Sequence, residues 1–366
     1  MVMDMYCYIY GAGERGREAL QLINIKYNGS VKIKGFLDQN KSGEIEGIKI
    51  YGPAAINYDI DTILIAIEDR DIALDIYLSI RKKTKARIYW FSGKRSENHR
   101  DFFSEQCISC ELWKADMLWQ AEIHIYDACN LNCRGCAHYA PIFEKIEPNF
   151  NDRIGDIKKF NSKFSHIVFF YLLGGEPFLN PEIGKYAAAV REIMPDTEIV
   201  IVTNGILIPR IDDEILCTIR KSRVKISISE YYPTHKLRDQ IIKKLEDNDI
   251  VYEWRKLNGK QKFNMPLSLS SDSKRERICI SNTCVNIWNG MMARCPQLMY
   301  IDKFNHTFGT NLPNQGIIYL DDERTGLELL NELKKPVPLC NHCIKNEIEW
   351  SVCGKNVVVS DFAIDD

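Results

Sequence analysis

Cys129-Asn130-Leu131-Asn132-Cys133-Arg134-Gly135-Cys136 decides how the rest of the chain is read. Directly before it, Glu122-Ile123-His124-Ile125-Tyr126 has the β-branched and aromatic make-up of a strand. A [4Fe–4S] cube ordinarily takes four cysteine thiolates, so three in C-x3-C-x2-C spacing leave one iron for a substrate or cofactor. The competing reading is a zinc knuckle, although structural zinc usually takes four ligands in paired C-x2-C halves.

Downstream, strand signals alternate with helical ones. Strands are expected over 167–173, 198–202, 224–229 and 250–254, with helices over 181–194 and 235–247 between them. The strands end in Gly174-Gly175-Glu176-Pro177, Thr203-Asn204-Gly205, Glu230-Tyr231-Tyr232-Pro233 and Arg255. Polar words at the C-terminal ends of parallel strands are where β/α barrels place their sites. The expected fold is α/β, with a partial (β/α)6 TIM-type barrel at its centre.

The cysteine loop, Gly-Gly-Glu-Pro and Thr-Asn-Gly, in that order, resemble the radical S-adenosylmethionine (SAM) superfamily. The resemblance implies that Cys129, Cys133 and Cys136 hold a [4Fe–4S] cluster whose open iron chelates SAM, and that one electron cleaves SAM to a 5′-deoxyadenosyl radical. It implies that Gly174, Gly175, Glu176 and Pro177 hold the SAM ammonium, and that Asn204, Ser227 and Ser229 touch its ribose or carboxylate. The chemistry agrees, since glycine lets carbonyls approach closely and Glu176 supplies a countercharge. For the serines, a hydroxyl bonded locally within the strand is the competing reading. Members commonly carry an aromatic residue before the third cysteine, where this chain has Gly135; His138 or Tyr139 are the candidates to pack adenine instead. Glu230 and Tyr232, beside Tyr231, and Glu253 and Arg255 stand at strand ends as candidate acid or base groups, or simply line the barrel mouth.

Cysteines return beyond the polar stretch 268–273, at Cys279, Cys284, Cys295, Cys340, Cys343 and Cys353. Residues 285–294 read as a hairpin with Asn289-Gly290 at its turn, and Cys340-Asn341-His342-Cys343 is a compact C-x2-C. A hairpin thiolate with a distant C-x2-C is a metal-ligating pattern. It resembles the SPASM or twitch auxiliary-cluster extension of radical SAM enzymes, which implies one further [4Fe–4S] cluster on Cys284, Cys295, Cys340 and Cys343, with Cys279 as the alternative to Cys284; zinc is the competing occupant. Cys353 is either a hydrogen-atom donor or an inert thiol. Cys217 reads as a core residue.

At the N-terminus a strand-like Tyr6-Cys7-Tyr8-Ile9-Tyr10 runs into Gly11-Ala12-Gly13-Glu14-Arg15-Gly16 and a helical stretch over 17–25. A second strand, 31–37, ends at Asp38, and two more follow at 62–67 and 86–90. This is the strand–turn–helix setting of a Rossmann-like nucleotide site, with Gly11, Gly13, Gly16 and Asp38 as candidates to bind it. Tyr8-Ile9-Tyr10-Gly11-Ala12-Gly13, Lys34-Gly35-Phe36-Leu37-Asp38 and Gly47-Ile48-Lys49-Ile50-Tyr51-Gly52 resemble the front domain of bacterial sugar acyltransferases of polysaccharide biosynthesis. That implies a nucleotide-sugar as well as NAD as ligand, or a domain that only docks. Cys107 and Cys110 read as structural thiols.

The expected organisation is a Rossmann-like domain over 1–92, a linker over 93–118, the barrel over 119–272 and the auxiliary domain over 273–366. The chain of 366 residues carries a net charge of −2 and is 45% hydrophobic, which points to neither nucleic acid nor an anionic membrane. No apolar run approaches the roughly 20 residues of a spanning helix, and the start lacks a basic signal region. Thirteen cysteines, an odd number, favour metal ligands in a reducing cytoplasm over disulfides. The resemblances imply a radical SAM oxidoreductase or epimerase, fed by a flavodoxin- or ferredoxin-type reductant, acting on a sugar or nucleotide-sugar in bacterial surface-glycan or natural-product biosynthesis. A ribosomally made peptide as substrate, and a non-catalytic redox or zinc module, are the competing readings.

Overall fold

Runs of isoleucine, valine and aromatic residues seed two largely parallel sheets. The computed structural model describes residues 5–27, 29–54, 60–93, 102–255, 262–272, 279 and 284–365. Its contacts divide the chain into two units, Met1–Ala115 and Asp116–Asp366.

The first unit runs β1 (Met5–Tyr10), α1 (Glu14–Tyr27), β2 (Val31–Leu37), β3 (Gly43–Ile45), β4 (Ile48–Tyr51), β5 (Thr62–Ile65), α2 (Arg70–Arg81), β6 (Arg87–Phe91), α3 (Phe102–Glu105) and β7 (Cys107–Ser109). Its sheet order is β3-β4-β2-β1-β5-β6-β7. The five inner strands are parallel, and β3 and β7 are antiparallel edges. Cys7 and Ile9 on β1 are fully buried, with Ala19, Leu20 and Ile23 of α1 packed on them. The unit extends past the expected boundary at 92, because β7 pairs with β6 and brings in the buried thiols of Cys107 and Cys110. Much of the remaining expected linker, 94–101, lies outside the described residues, as do the start at 1–4 and Ser273.

The second unit runs β8 (Leu118–Tyr126), α4 (Phe150–Asn161), β9 (Ile167–Gly174), α5 (Ile183–Ile193), β10 (Glu198–Thr203), α6 (Asp213–Lys221), β11 (Lys225–Ser229), α7 (Tyr232–His235), α8 (Arg238–Asp247), β12 (Tyr252–Arg255), β13 (Lys262–Asn264), β14 (Leu267–Ser268), β15 (Val285–Trp288), β16 (Met291–Ala293), α9 (Pro296–Met299), α10 (Ile301–Phe308), β17 (Ile318–Tyr319), α11 (Gly326–Lys334), β18 (Glu347–Glu349) and β19 (Ala363–Ile364). The main sheet has the order β12-β11-β10-β9-β8-β15-β16-β17, parallel from β12 to β15. Alternate side chains such as Ile123, Leu172, Ile201 and Ile226 face the helices and pack on Ile157, Val190, Leu216 and Ile241. The other face is therefore free to carry polar groups, Gln120, Glu122 and His124 among them.

The hairpin is present, with Asn289 at φ 47° and Gly290 at φ 74°, the two positive values a type I′ turn needs. Its first strand pairs parallel with β8, so residues expected in a separate auxiliary domain supply the sixth parallel strand of the barrel sheet. Cys217 is half-buried on α6, where Leu216 and Ile219 take the core positions. Among the described residues no helix is long and apolar enough to cross a membrane.

Candidate functional site

β8 ends at Tyr126, and the chain turns at once into the three-cysteine loop. The C-terminal segment straps this loop. Arg134 N–H donates to the Ser351 carbonyl at 2.8 Å, Cys353 N–H to the Asn132 carbonyl at 2.8 Å, and Gly135 N–H to the Asp361 carbonyl at 2.7 Å. Gly135 has φ +71°, and a Cβ there would lie 2.9 Å from Ile348 Cδ1. That strap occupies the space an aromatic residue at position 135 would need.

Cys129, Cys133 and Cys136 rim a cavity of about 260 Å³, together with Gly174, Gly175, Asn204, Ser229, His138 and Tyr231. Burial raises all three thiols, Cys129 to about 12. Three thiols so placed ionise together when a cationic centre compensates them. N–H donors already point at two of the sulfurs, from Leu131 N at 3.4 Å and Asn204 Nδ2 at 3.7 Å to Cys129, and from Trp350 Nε1 at 3.1 Å to Cys133. This donor set fits an iron–sulfur cluster. Among the described residues no three His, Cys, Asp or Glu side chains are gathered to hold a single ion; cluster thiolates sit on separate irons and share no common centre.

Gly174 and Gly175 stand where β9 meets the cysteine loop. A Cβ at either would come within 2.0 to 2.1 Å of the Tyr126 or Ala128 carbonyl oxygen, so close backbone approach alone requires both glycines. Glu176 does not line the cavity. It is fully buried, its Oε1 accepting from Thr203 Oγ1 at 2.7 Å and Phe178 N at 3.1 Å, and its Oε2 from Asn204 N at 2.9 Å. Pro177 starts the short 3₁₀ turn Pro177–Leu179 and is buried too. Asn204 does reach the cavity, its side chain held by Asn130 Oδ1 at 2.7 Å.

The other candidates divide by position. Ser229 lines the cavity, whereas Ser227 is fully buried and donates to Glu253 Oε1 at 2.6 Å. Glu253 also faces Arg255, at 3.6 Å. Glu230 is bound by His235 and Arg238 at 2.8 and 3.0 Å, and Tyr232 is 54% exposed. None of these four borders the cavity, whereas Tyr231, between Glu230 and Tyr232, does. Tyr139 packs on Phe304 and Phe362 in the C-terminal core, which leaves His138 beside the cavity. Cys353 lies against the outside of the loop, where burial and Asp361 raise it to about 11; it is not part of the cavity wall.

A polar chain behind His138 carries no sequence motif. Fully buried His124 meets Asp127 Oδ1 through Nδ1 at 2.9 Å and His138 Nδ1 through Nε2 at 2.8 Å. Arg153 and the Trp288 indole also donate to Asp127. Asp127 can only accept, so neutral His124 offers His138 a lone pair, and His138 turns an unprotonated Nε2 toward Glu122 Oε1, 3.7 Å away. Burial holds His124 below its ordinary 6.5 despite Asp127. For Asp127, burial pulls up, but the His124, Arg153 and Trp288 contacts outweigh it and hold the carboxyl below 3.8. With both values depressed, the unfolded chain binds more protons than the fold, so stability rises with pH and is lost as pH falls below about 6.5. His124→Asn removes this component: the difference in urea midpoint between wild type and variant is expected to shrink from about pH 7.5 to about pH 5. A constant difference would refute the coupling.

The C-terminal cysteines also converge. Burial raises Cys295 to about 12, with Cys343, Cys279 and Cys340 adding to it, and raises Cys343 to about 11, with Cys340 and Cys279 adding. Cys284 is raised by burial and then by Glu122; Gln120 Nε2 donates to its sulfur at 3.3 Å, and among the thiols Cys295 acts on it. Among the described residues the buried Tyr139 hydroxyl has no hydrogen-bond partner, and it lies within electrostatic range of Cys295, Cys343 and Cys136.

In the first unit a cavity of about 520 Å³ opens at the C-terminal ends of β1 and β5, lined by Gly11, Gly13, Arg15, Asp38 and Lys41. Gly16 does not line it; a Cβ there would stand 2.0 Å from the Gly11 carbonyl oxygen, so its role is to pack α1 on the turn. Asp38 accepts from the backbone N–H groups of Ala12, Asn40 and Lys41 at 2.9, 2.9 and 3.0 Å.

The chain is similar to the solved structure of BtrN in complex with AdoMet and 2-DOIA, at 16% identity over 62% of this chain and 92% of that one, with a TM-score of 0.40. It is similar to native anSMEcpe with bound AdoMet and Cp18Cys peptide, at 14% identity over 37% of this chain and 42% of that one, TM-score 0.30. UDP-D-quinovosamine 4-dehydrogenase from Vibrio fischeri is similar at 23% identity over 24% of this chain and 78% of that one, TM-score 0.21. No curated protein matches the sequence. Residues 123–267 match the family model described as the radical SAM superfamily, and this stretch of the chain is a radical SAM superfamily domain.

Proposed function

We propose that the chain is a radical SAM enzyme that takes hydrogen from a sugar or nucleotide-sugar, by oxidation or epimerisation, in bacterial surface-glycan or natural-product biosynthesis. The observation that carries this reading is the meeting of the Cys129, Cys133 and Cys136 thiols with Gly174, Gly175, Asn204 and Ser229 around one cavity. Bound there, a [4Fe–4S] cluster and SAM would supply a 5′-deoxyadenosyl radical able to attack an unactivated C–H bond. The protein contributes binding, orientation and electrostatics. Asn204 and Ser229 offer polar contacts to SAM, and His138 Nε2 offers a fixed acceptor.

A hydroxylated substrate suits the inner face of the barrel. Asn286 is fully buried beside Glu122, and among the described residues neither its amide atoms nor the buried Tyr300 hydroxyl finds a hydrogen-bond partner. Such groups ask for hydrogen-bonding partners. For an auxiliary cluster, Cys295, Cys340 and Cys343 are the candidate ligands, with Cys284 or Cys279 as the fourth; Gln120 Nε2 donates to Cys284 at 3.3 Å and Arg294 Nη2 to Cys279 at 3.5 Å. In the first unit, Asp38 is committed to the backbone N–H groups of Ala12, Asn40 and Lys41, which weighs against NAD and for a nucleotide-sugar. A flavodoxin- or ferredoxin-type protein would deliver the electron.

Anaerobically reconstituted protein, given SAM and reductant, is expected to form 5′-deoxyadenosine. In the presence of deuterated nucleotide-sugars the label is expected to enter that product and to identify the carbon attacked. Product formed without label transfer from any sugar would reject the substrate class. No product at all would favour the non-catalytic reading.

A further inference from the structure

The strap that closes the cysteine loop also carries Trp350 across it. Trp350 Nε1 donates to Cys133 Sγ at 3.1 Å, from a residue 217 positions further along the chain. The indole packs against two tyrosines, with ring centroids 5.7 Å from Tyr231 and 5.9 Å from Tyr232. The strap is fixed next to it by the backbone bonds of Arg134 and Cys353 and by the antiparallel bridge between Cys133 and Val352. The N–H direction is therefore set by packing rather than by chance rotation of a surface ring.

Hydrogen bonds to cluster sulfurs are one of the means by which a protein sets a cluster's reduction potential. A donor on the thiolate draws electron density from it and favours the more negatively charged, reduced state. We propose that Trp350 is a positioning residue whose indole N–H raises the reduction potential of the cluster held by Cys129, Cys133 and Cys136. Its effect is to bring that cluster within reach of a protein electron donor. Leu131 N–H and the Asn204 amide act on Cys129 in the same sense, at 3.4 and 3.7 Å; Trp350 covers Cys133. The inference rests on the loop holding the cluster, and the experiment separates the two claims.

Trp350→Phe keeps a ring against Tyr231 and Tyr232 and deletes the donor. In an EPR-monitored redox titration of reconstituted protein, the variant, loaded with wild-type iron and sulfide, is expected to show a more negative midpoint for the three-cysteine cluster. An unchanged or more positive midpoint at full loading overturns the inference and leaves the cluster assignment standing. Wild-type protein with no such cluster overturns both. Should the variant fail to keep its cluster, pulsed EPR of the wild type with ¹⁵N-indole label decides. A nitrogen coupling and an exchangeable proton coupling at the reduced cluster support the contact, and their absence overturns it.

Discussion

Replacing Cys129, Cys133 and Cys136 together by alanine is expected to abolish 5′-deoxyadenosine formation and to remove roughly half of the protein's iron, as follows if two [4Fe–4S] centres are present. The three thiols share one loop and one cavity. Deleting them strips that centre while leaving the C-terminal cysteines Cys279, Cys284, Cys295, Cys340 and Cys343 in place. Replacing Cys340 and Cys343 is expected to do the reverse: iron falls by a similar share and cleavage of SAM without substrate persists. Metal analysis of both variants beside the wild type separates the readings. Loss of all iron from the first variant, with zinc retained, would place zinc at the C-terminal site. Undiminished turnover by the first variant would falsify the proposed function itself.

The sequence exposes local, periodic features and hides contacts made by chain ends far apart. Parallel strands such as β9 and β10 are legible because a strand buried on both faces is a nearly continuous run of apolar residues. The order of the cysteine loop, the Gly-Gly turn and Asn204 follows from chain order alone. β15 is harder: its four residues read as half of a hairpin, and nothing in them says that Val285 pairs with Ala121. Likewise the apolar thiols of Cys107 and Cys110 hide an edge strand inside an apparent linker. The His124–His138 contact joins a strand residue to a loop residue fourteen positions on, with no repeat to mark it. Trp350 is ordinary in composition and becomes informative only when the strap brings it to Cys133.

Glu176→Ala is expected to cost about 2 to 4 kcal/mol of folding stability and, in the same protein, to weaken SAM binding. The glutamate ties the end of β9 to the end of β10. Its carboxylate accepts three hydrogen bonds, from Phe178 N, Thr203 Oγ1 and Asn204 N, and no part of it is exposed. Burial, opposed by those same three donors, pushes its pKa up to about 7, so part of what the bonds contribute is offset by desolvation. That offset keeps the expected loss below the sum of three buried bonds. Alanine leaves three donors unpaired, two of them backbone N–H groups of the buried residues Phe178 and Asn204. Because the Asn204 backbone is one of the three, its side chain loses the geometry that directs it to Asn130 Oδ1 and Cys129 Sγ. Glutamine is a sharper probe than alanine: it fills the space, but its amide nitrogen must face an N–H or O–H donor. Urea unfolding of the cluster-free proteins, with SAM affinity of the reconstituted ones, measures both effects. A Glu176→Ala variant within about 0.5 kcal/mol of wild type that binds SAM normally would mean that the Gly-Gly-Glu turn does not organise the cavity from behind.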